Sequence, residues 1–347
     1  MDLMKSVEIL IEKIKKDYKR DIAVVVLMGS HIYNETHSLS DLDMYFVPNT
    51  ERGENLGKVF IIDGIGFDFW PISWERLEGI ANHEERITSI VTEGQVLYYG
   101  SKEDLERFNR LRIRGLDTKD RRKFIEKSKK ELEKTYQPYF NLLLDHTLSE
   151  ARKHAMEIIF SVTYATALLN GTTIKRGRGK LKNEILNMDL LPKDFSSLYD
   201  TVFISSDITE IKNNFGQLLM NMKILLEQEE TKEQKSLSFR EQLEGYYEEL
   251  INFYNKIRRA CETGDIYTAL FAAVEINKEL EGAFSGTDVS PRDLPDIIEA
   301  FDPNNLEGFL DLVVEHQSQL FQLLKSKDVP VLVFDDFIEL KEHIDSL

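Results

Sequence analysis

A chain of 347 residues with 42% hydrophobic side chains is long enough for two or three domains with substantial cores. No apolar run approaches the roughly 20 residues that span a bilayer. The charged start MDLMKSVEILIEKIKKDYKRD is unlike a signal peptide, and the single cysteine, Cys261, excludes a disulfide framework or a cysteine-built zinc site within one chain. A cytoplasmic protein without membrane partners is expected. The net charge of −17 argues against general nucleic-acid binding. It is also uneven: residues 1–118 carry −6, residues 119–182 carry +8 and residues 183–347 carry −19.

Leu3, Val7, Leu10 and Ile14 recur at the spacing of an amphipathic first helix. DIAVVVLM then reads as a strand ended by Gly29, with a helix starting soon after, and MYFVP as a second strand ended by Pro48. KVFIIDGIGFDFWPI reads as a hairpin turning at Asp63-Gly64, and QVLYYG as a further strand. After Thr118 the pattern turns helical. Ala155, Ile158, Ile159, Val162 and Leu169 mark one helix face. Leu306, Phe309, Leu310, Val313, Leu320 and Leu324 mark another, with a start expected at Asp302-Pro303. The polar stretch Glu227 to Ser238 reads as a linker. The expected fold class is α+β: a small mixed β-sheet domain with helices over 1–118, then a larger all-α helical-bundle region, divided into 119–230 and 236–347.

The stretch GSHIYNETHSLSDLD, Gly29 to Asp43, lies between two predicted strands. Glycine lets the backbone approach a ligand closely, and the backbone N–H groups of such a turn, with the Ser30 hydroxyl, suit a phosphate. Residues i and i+2 of a strand share a face, so Asp41 and Asp43 converge while Leu42 turns inward. Such a pair repels unless a cation lies between, and hard carboxylate oxygens suit Mg²⁺. In GFDFW, Phe67 and Phe69 face one side and Asp68 the other. If that strand lies beside Met44–Val47, Asp68 joins the other two acids. Three carboxylates beside a phosphate cradle form a site for two-metal phosphoryl or nucleotidyl transfer.

Leu27-Met28-Gly29-Ser30, ten residues, Asp41-Leu42-Asp43-Met44 and then Asp68 resemble the nucleotidyltransferase superfamily of the polymerase-beta type. The resemblance implies that Asp41, Asp43 and Asp68 are catalytic and hold Mg²⁺ against the nucleotide. It also implies that Gly29 and Ser30 bind its phosphates, with Ser40 among the nucleotide-binding residues. The segment Ala165 to Asp194 resembles, more loosely, the helical domain of aminoglycoside adenylyltransferases. It has a break at Asn170-Gly171 and then Lys175, Arg176, Arg178, Lys180 and Lys182, a cluster that suits polyphosphate.

A transferase needs a base for the acceptor hydroxyl. Glu93 is the first candidate, with Glu150 and Glu157 as helical alternatives. The expected reaction is Mg²⁺-dependent transfer of AMP from ATP to a hydroxyl of a small cationic, aminoglycoside-like acceptor, which the acidic C-terminal part would attract. Alternatives are a protein or other metabolite as acceptor, or a non-catalytic nucleotide-binding regulatory or toxin–antitoxin component. A homodimer is compatible with the sequence.

Overall fold

The computed structural model describes residues 4–33, 35–37, 40–233, 238–285, 287, 289 and 293–346. Leu3 of the first helix, Asn34, Ser38 and Leu39 of the Gly29–Asp43 stretch, and 234–237 of the expected linker lie outside the described residues. The chain forms two compact units, residues 1–233 and 234–347. Among the described residues no helix is long and apolar enough to cross a membrane.

Among the described residues, the first unit has helix α1 (Met4–Asp17) followed by five strands: β1 (Ile22–Leu27), β2 (Asp43–Pro48), β3 (Lys58–Ile62), β4 (Ile65–Pro71) and β5 (Gln95–Tyr99). Their order is β3-β4-β2-β1-β5, and the sheet is mixed, because β2 and β4 run parallel while the other pairs are antiparallel. The α+β expectation is thus met. β1 lies inside the sheet, between β2 and β5, and is buried along its whole length, which explains its unbroken apolar run. The hairpin turns where expected: Asp63 (φ 50°) and Gly64 (φ 77°) both have positive φ, as a primed two-residue turn requires.

Short helices and one long one connect and flank the strands: α2 (Glu51–Glu54), α3 (Trp74–Ala81), α4 (Ser89–Thr92) and α5 (Lys102–Leu116). Alternating side chains send the two faces of the sheet to different cores. Val25, Leu27, Met44, Phe46, Phe67 and Phe69 pack with Val7 and Ile14 of α1. Val24, Val26, Tyr45 and Val47 pack with Leu77 and Ile80 of α3, Val91 of α4, and Phe108 and Leu111 of α5.

The helical part of this unit comprises α6 (Arg121–Glu133), α7 (Tyr136–Leu144), α8 (Leu148–Leu169), α9 (Leu181–Leu186), α10 (Phe195–Ile204) and α11 (Ile208–Glu233). α8 is its axis, with Ala155, Ile158, Ile159, Val162 and Leu169 in the core as the periodicity required. The expected linker needs correction over its first half, since Glu227–Glu233 is the end of α11. Arg121 donates to Glu229 at 2.6 Å and Lys129 to Glu230 at 2.8 Å, so the acids that looked like a solvated linker face cations of α6.

The second unit contains α12 (Phe239–Leu243), α13 (Tyr246–Thr263), α14 (Ile266–Phe284), α15 (Leu306–Ser326) and α16 (Phe337–Asp345). α13 packs on α14 and α15 around Tyr254, Ile257, Ile276, Phe309 and Val313. α15 begins at Leu306, after the Asn305 side chain caps it by accepting from the Gly308 N–H at 3.0 Å. The start therefore falls past Asp302-Pro303, at a residue whose side-chain oxygen can satisfy a first-turn N–H.

Candidate functional site

Three of the predicted site positions are fixed by the sheet itself. β1 ends at Leu27, and the Met28 N–H donates to the Asp43 carbonyl at 3.0 Å, which carries the β1–β2 ladder to the start of β2. Gly29 follows with φ +76°, and a Cβ there would stand 2.4 Å from Asp43 Oδ2. Only glycine leaves room for that carboxylate. On the other side of β2, Asp43 is in direct register with Asp68 on the parallel neighbour β4. Phe67 and Phe69 are buried and Asp68 is exposed, so the alternation read from GFDFW holds.

Asp41 is placed differently from its expectation. β2 begins at Asp43, and Asp41 lies just before it, exposed, with Leu42 between them fully buried. Asp41 still acts on its neighbour. The Asp43 carboxyl is held above the ordinary carboxylate range by burial first and then by the charges of Asp41 and Asp68, while Arg178 and His31 pull it down. The expected helix after Gly29 is a single tight 3₁₀ turn, Gly29–Tyr33, and Ser30 is half-buried within it. Ser40 is buried, and its hydroxyl accepts from the His37 N–H at 2.8 Å, so its visible role is to close the loop.

The basic segment of the helical part reaches this turn. The Lys175 and Arg176 N–H groups donate to the Glu184 carboxylate at 2.6 and 2.8 Å, which anchors the segment to α9. Arg176 stacks on the Tyr33 ring at 3.4 Å from its centroid and lies 3.4 Å from Glu35. Lys180 also pairs with Glu35, and this hydrogen bond holds the Glu35 carboxyl below its usual range. Lys175 pairs with Glu93 at 3.0 Å. Lys182 turns away, to Asp200 at 2.6 Å. Burial first, then the Glu93 carboxylate, pushes the Tyr33 phenol up to about 12, so it stays neutral beside the guanidinium. One Arg176 nitrogen (Nη1) and His31 Nε2 are buried here without a hydrogen-bond partner. Two such groups beside one turn are what an anion would satisfy.

Glu93 ends α4, where Arg112 of α5 donates to the carbonyls of Val91, at 3.2 Å, and Gly94 on either side of it. Of the alternative bases, Glu150 is engaged in the capping box of α8 with Thr147, and Glu157 is exposed on the same helix.

Among the described residues no three His, Cys, Asp or Glu side chains form a ready metal cage. The residues nevertheless suit a divalent cation: Asp43 and Asp68 are hard oxygen donors at paired positions, and the Asp43 carboxyl is raised by burial first and then by the charges of Asp41 and Asp68, both of which a cation would offset.

No protein-family pattern matches the chain, and a comparison with curated proteins found no match. Among solved structures, a nucleotidyltransferase-like protein from Exiguobacterium sibiricum aligns at 13% identity with a TM-score of 0.39, over 64% of this chain and 75% of that one.

Tyr33, Glu35 and Glu184 were missed by the sequence reading. Glu35 lies inside the ten-residue spacer and Glu184 just past the basic cluster. No spacing or periodicity in the sequence ties either acid to the cations it meets.

Proposed function

We propose that the first unit is a nucleotidyltransferase that moves AMP from ATP to a hydroxyl of a small cationic, aminoglycoside-like acceptor. The observation that carries this reading is the register of Asp43 with Asp68, beside a glycine whose missing Cβ makes room for the Asp43 carboxylate. Two cations of the kind that suits phosphate lie nearby: Arg176 stacks on Tyr33 of the same turn and Lys180 pairs with Glu35. Asp41, Asp43 and Asp68 would hold Mg²⁺, which when bound supplies charge neutralisation for the triphosphate.

The chain's own groups divide the remaining work. The Gly29–Ser30 turn and the Arg176 guanidinium orient the phosphates, with Arg178 and Lys180 adding positive charge. Lys175 transfers from Glu93 to the incoming triphosphate, a more highly charged partner, which frees Glu93. The acceptor hydroxyl oxygen forms a bond to the α-phosphorus and gives its proton to Glu93. The bond from that phosphorus to the bridging oxygen breaks, and pyrophosphate leaves. The net charge of −17 favours a cationic acceptor by attraction over a neutral one.

The test is pyrophosphate release from ATP with Mg²⁺ across a panel of aminoglycosides and other hydroxyl acceptors. Release with at least one acceptor, abolished by Asp43→Asn, is the expected result. ATP binding without release under every condition would overturn turnover and leave a nucleotide-binding module. The Lys175–Glu93 ion pair, which occupies the proposed base, is the observation that favours this second reading.

A further inference from the structure

A second cluster of cations lies in the first unit at the junction of the sheet and the helices. The ends of α3 and α5 and the first turn of α6 enclose a cavity of about 320 Å³, lined by His83, Arg114, Lys119, Lys123 and Phe124. Arg114, Lys119 and Lys123 make no ion pair among the described residues. Asp117 and Asp120 share the lining, but the Asp120 carboxylate accepts from the Lys123 N–H at 3.2 Å as the cap of α6. Beside the cavity, the Lys127 ammonium donates to the Asn82 carbonyl at 2.7 Å. Its pKa is lowered by burial first and then by Lys123. Cations outnumber acids here, and they crowd one another.

His83 sits within this positive field and is only 4% exposed. Its Nε2 lies 2.9 Å from the Gly115 carbonyl, which is an acceptor, so Nε2 carries the ring proton. Nδ1 is therefore the bare nitrogen of the neutral ring, and it has no partner. The ring meets Phe124 edge-on at 4.9 Å. Burial first, then Lys127 and Lys123, lowers the His83 pKa against the Gly115 hydrogen bond, so the ring is neutral at physiological pH. A buried imidazole nitrogen with nothing to accept from is an unmet demand.

We propose that this cavity binds a phosphate group, free or carried by a small phosphorylated molecule. Arg114, Lys119 and Lys123 are its cationic contacts, and His83 Nδ1 shares the phosphate's proton. A tetrahedral dianion relieves the repulsion among the lysines. Unlike sulfate, hydrogen phosphate brings an O–H that Nδ1 can accept from. The bound anion joins the last turn of α5 to the first turn of α6, the connection between sheet and helical bundle. This site is independent of the Gly29 turn and does not depend on the transferase reading.

The test follows the imidazole ¹⁵N signals of the seven histidines during titration with inorganic phosphate, ribose 5-phosphate or sulfate, without a divalent cation. His83→Asn assigns the relevant signal and suits the site, because His83 has φ +58° and asparagine tolerates that region. Inorganic phosphate should move the His83 signal saturably and sulfate should bind more weakly. Arg114→Ala and Lys123→Ala should each weaken binding about tenfold, the loss typical of one charge-assisted contact. A response to ribose 5-phosphate identifies a phosphomonoester site, and a response to inorganic phosphate alone identifies a free-anion site. Either upholds the proposal. A His83 signal unmoved by both phosphates into the millimolar range overturns it. So does a shift that survives undiminished in the folded double variant Arg114→Ala/Lys123→Ala.

Discussion

Asp43 and Asp68 occupy paired positions on hydrogen-bonded strands, whereas Lys175, Arg176 and Lys180 approach them through side-chain contacts with Glu93, Tyr33 and Glu35. The acids are placed by a backbone ladder that is indifferent to salt. The backbone of the basic segment is anchored to Glu184, but the charged ends of its side chains are held only by ion pairs with Glu93 and Glu35 and by stacking on Tyr33, all partly exposed. Exposed pairs each contribute little and weaken as salt rises. The proposed site thus joins a rigid acidic wall to an adjustable basic one, a division that suits a substrate that brings its own charge.

The most damaging way to break this division is to disturb the wall. Gly29→Ala places a methyl group 2.4 Å from Asp43 Oδ2 at φ +76°. Backbone strain of this kind costs about 1–3 kcal/mol. Nearly all pyrophosphate release should disappear, with a measurable fall in Tm. Unchanged activity would show that the position of Asp43 is not critical. Glu93→Gln tests the joint between the two walls. It should cut kcat by about 10²-fold or more if Glu93 is the base, with little change in KM. Full kcat would instead direct the search to Glu157.

Glu35→Gln attacks the adjustable wall by removing the partner of both Arg176 and Lys180. Thermal stability should hardly change, while ATP affinity, measured by calorimetry, should rise a few-fold and depend more steeply on salt, because both cations are released to the triphosphate. A large drop in Tm would mean that the basic segment is structural rather than adjustable.

The smallest effect is one of stability. Asp43 has a raised pKa in the folded protein, so its ionisation opposes folding. That penalty is absent below the unfolded-state pKa and grows as pH rises from there to the folded one, above which it is fully present. Asp43→Asn should therefore raise Tm modestly at neutral pH, and the gain should vanish under acidic conditions. A variant less stable than the parent at neutral pH would contradict the account of a carboxylate strained by burial and by its like-charged neighbours.

The sequence made the rigid wall legible because strands obey a period of two. Leu42, Phe67 and Phe69 are buried as alternation requires, and the Asp63-Gly64 turn sets the hairpin register that carries Asp68. Asp41 was read as a strand residue because alternation does not say where a ladder starts, and this one begins at Asp43. The adjustable wall was legible only as composition. Nothing in the spacing of Lys175, Arg176 and Lys180 points to Tyr33 or Glu35, because contacts between loops have no period. The end of α11 was misread for a related reason. A charged run looks solvated until its partners, here Arg121 and Lys129, are known from the packing of another helix.

The parallel pairing of β2 with β4 also bears on how the chain assembles. β3 and β4 are joined by a two-residue turn and can zip early, while β2 must find β4 across an intervening strand, and β1 must find β5 much farther along the chain. Closing such distant pairs is slow compared with forming a hairpin. The step that brings Asp43 against Asp68 is thus a late one, and it brings like charges together. Refolding should speed up as pH falls and Asp43, whose carboxyl is held above the ordinary carboxylate range, binds a proton, and stopped-flow fluorescence of Trp70, at the end of β4, can follow it.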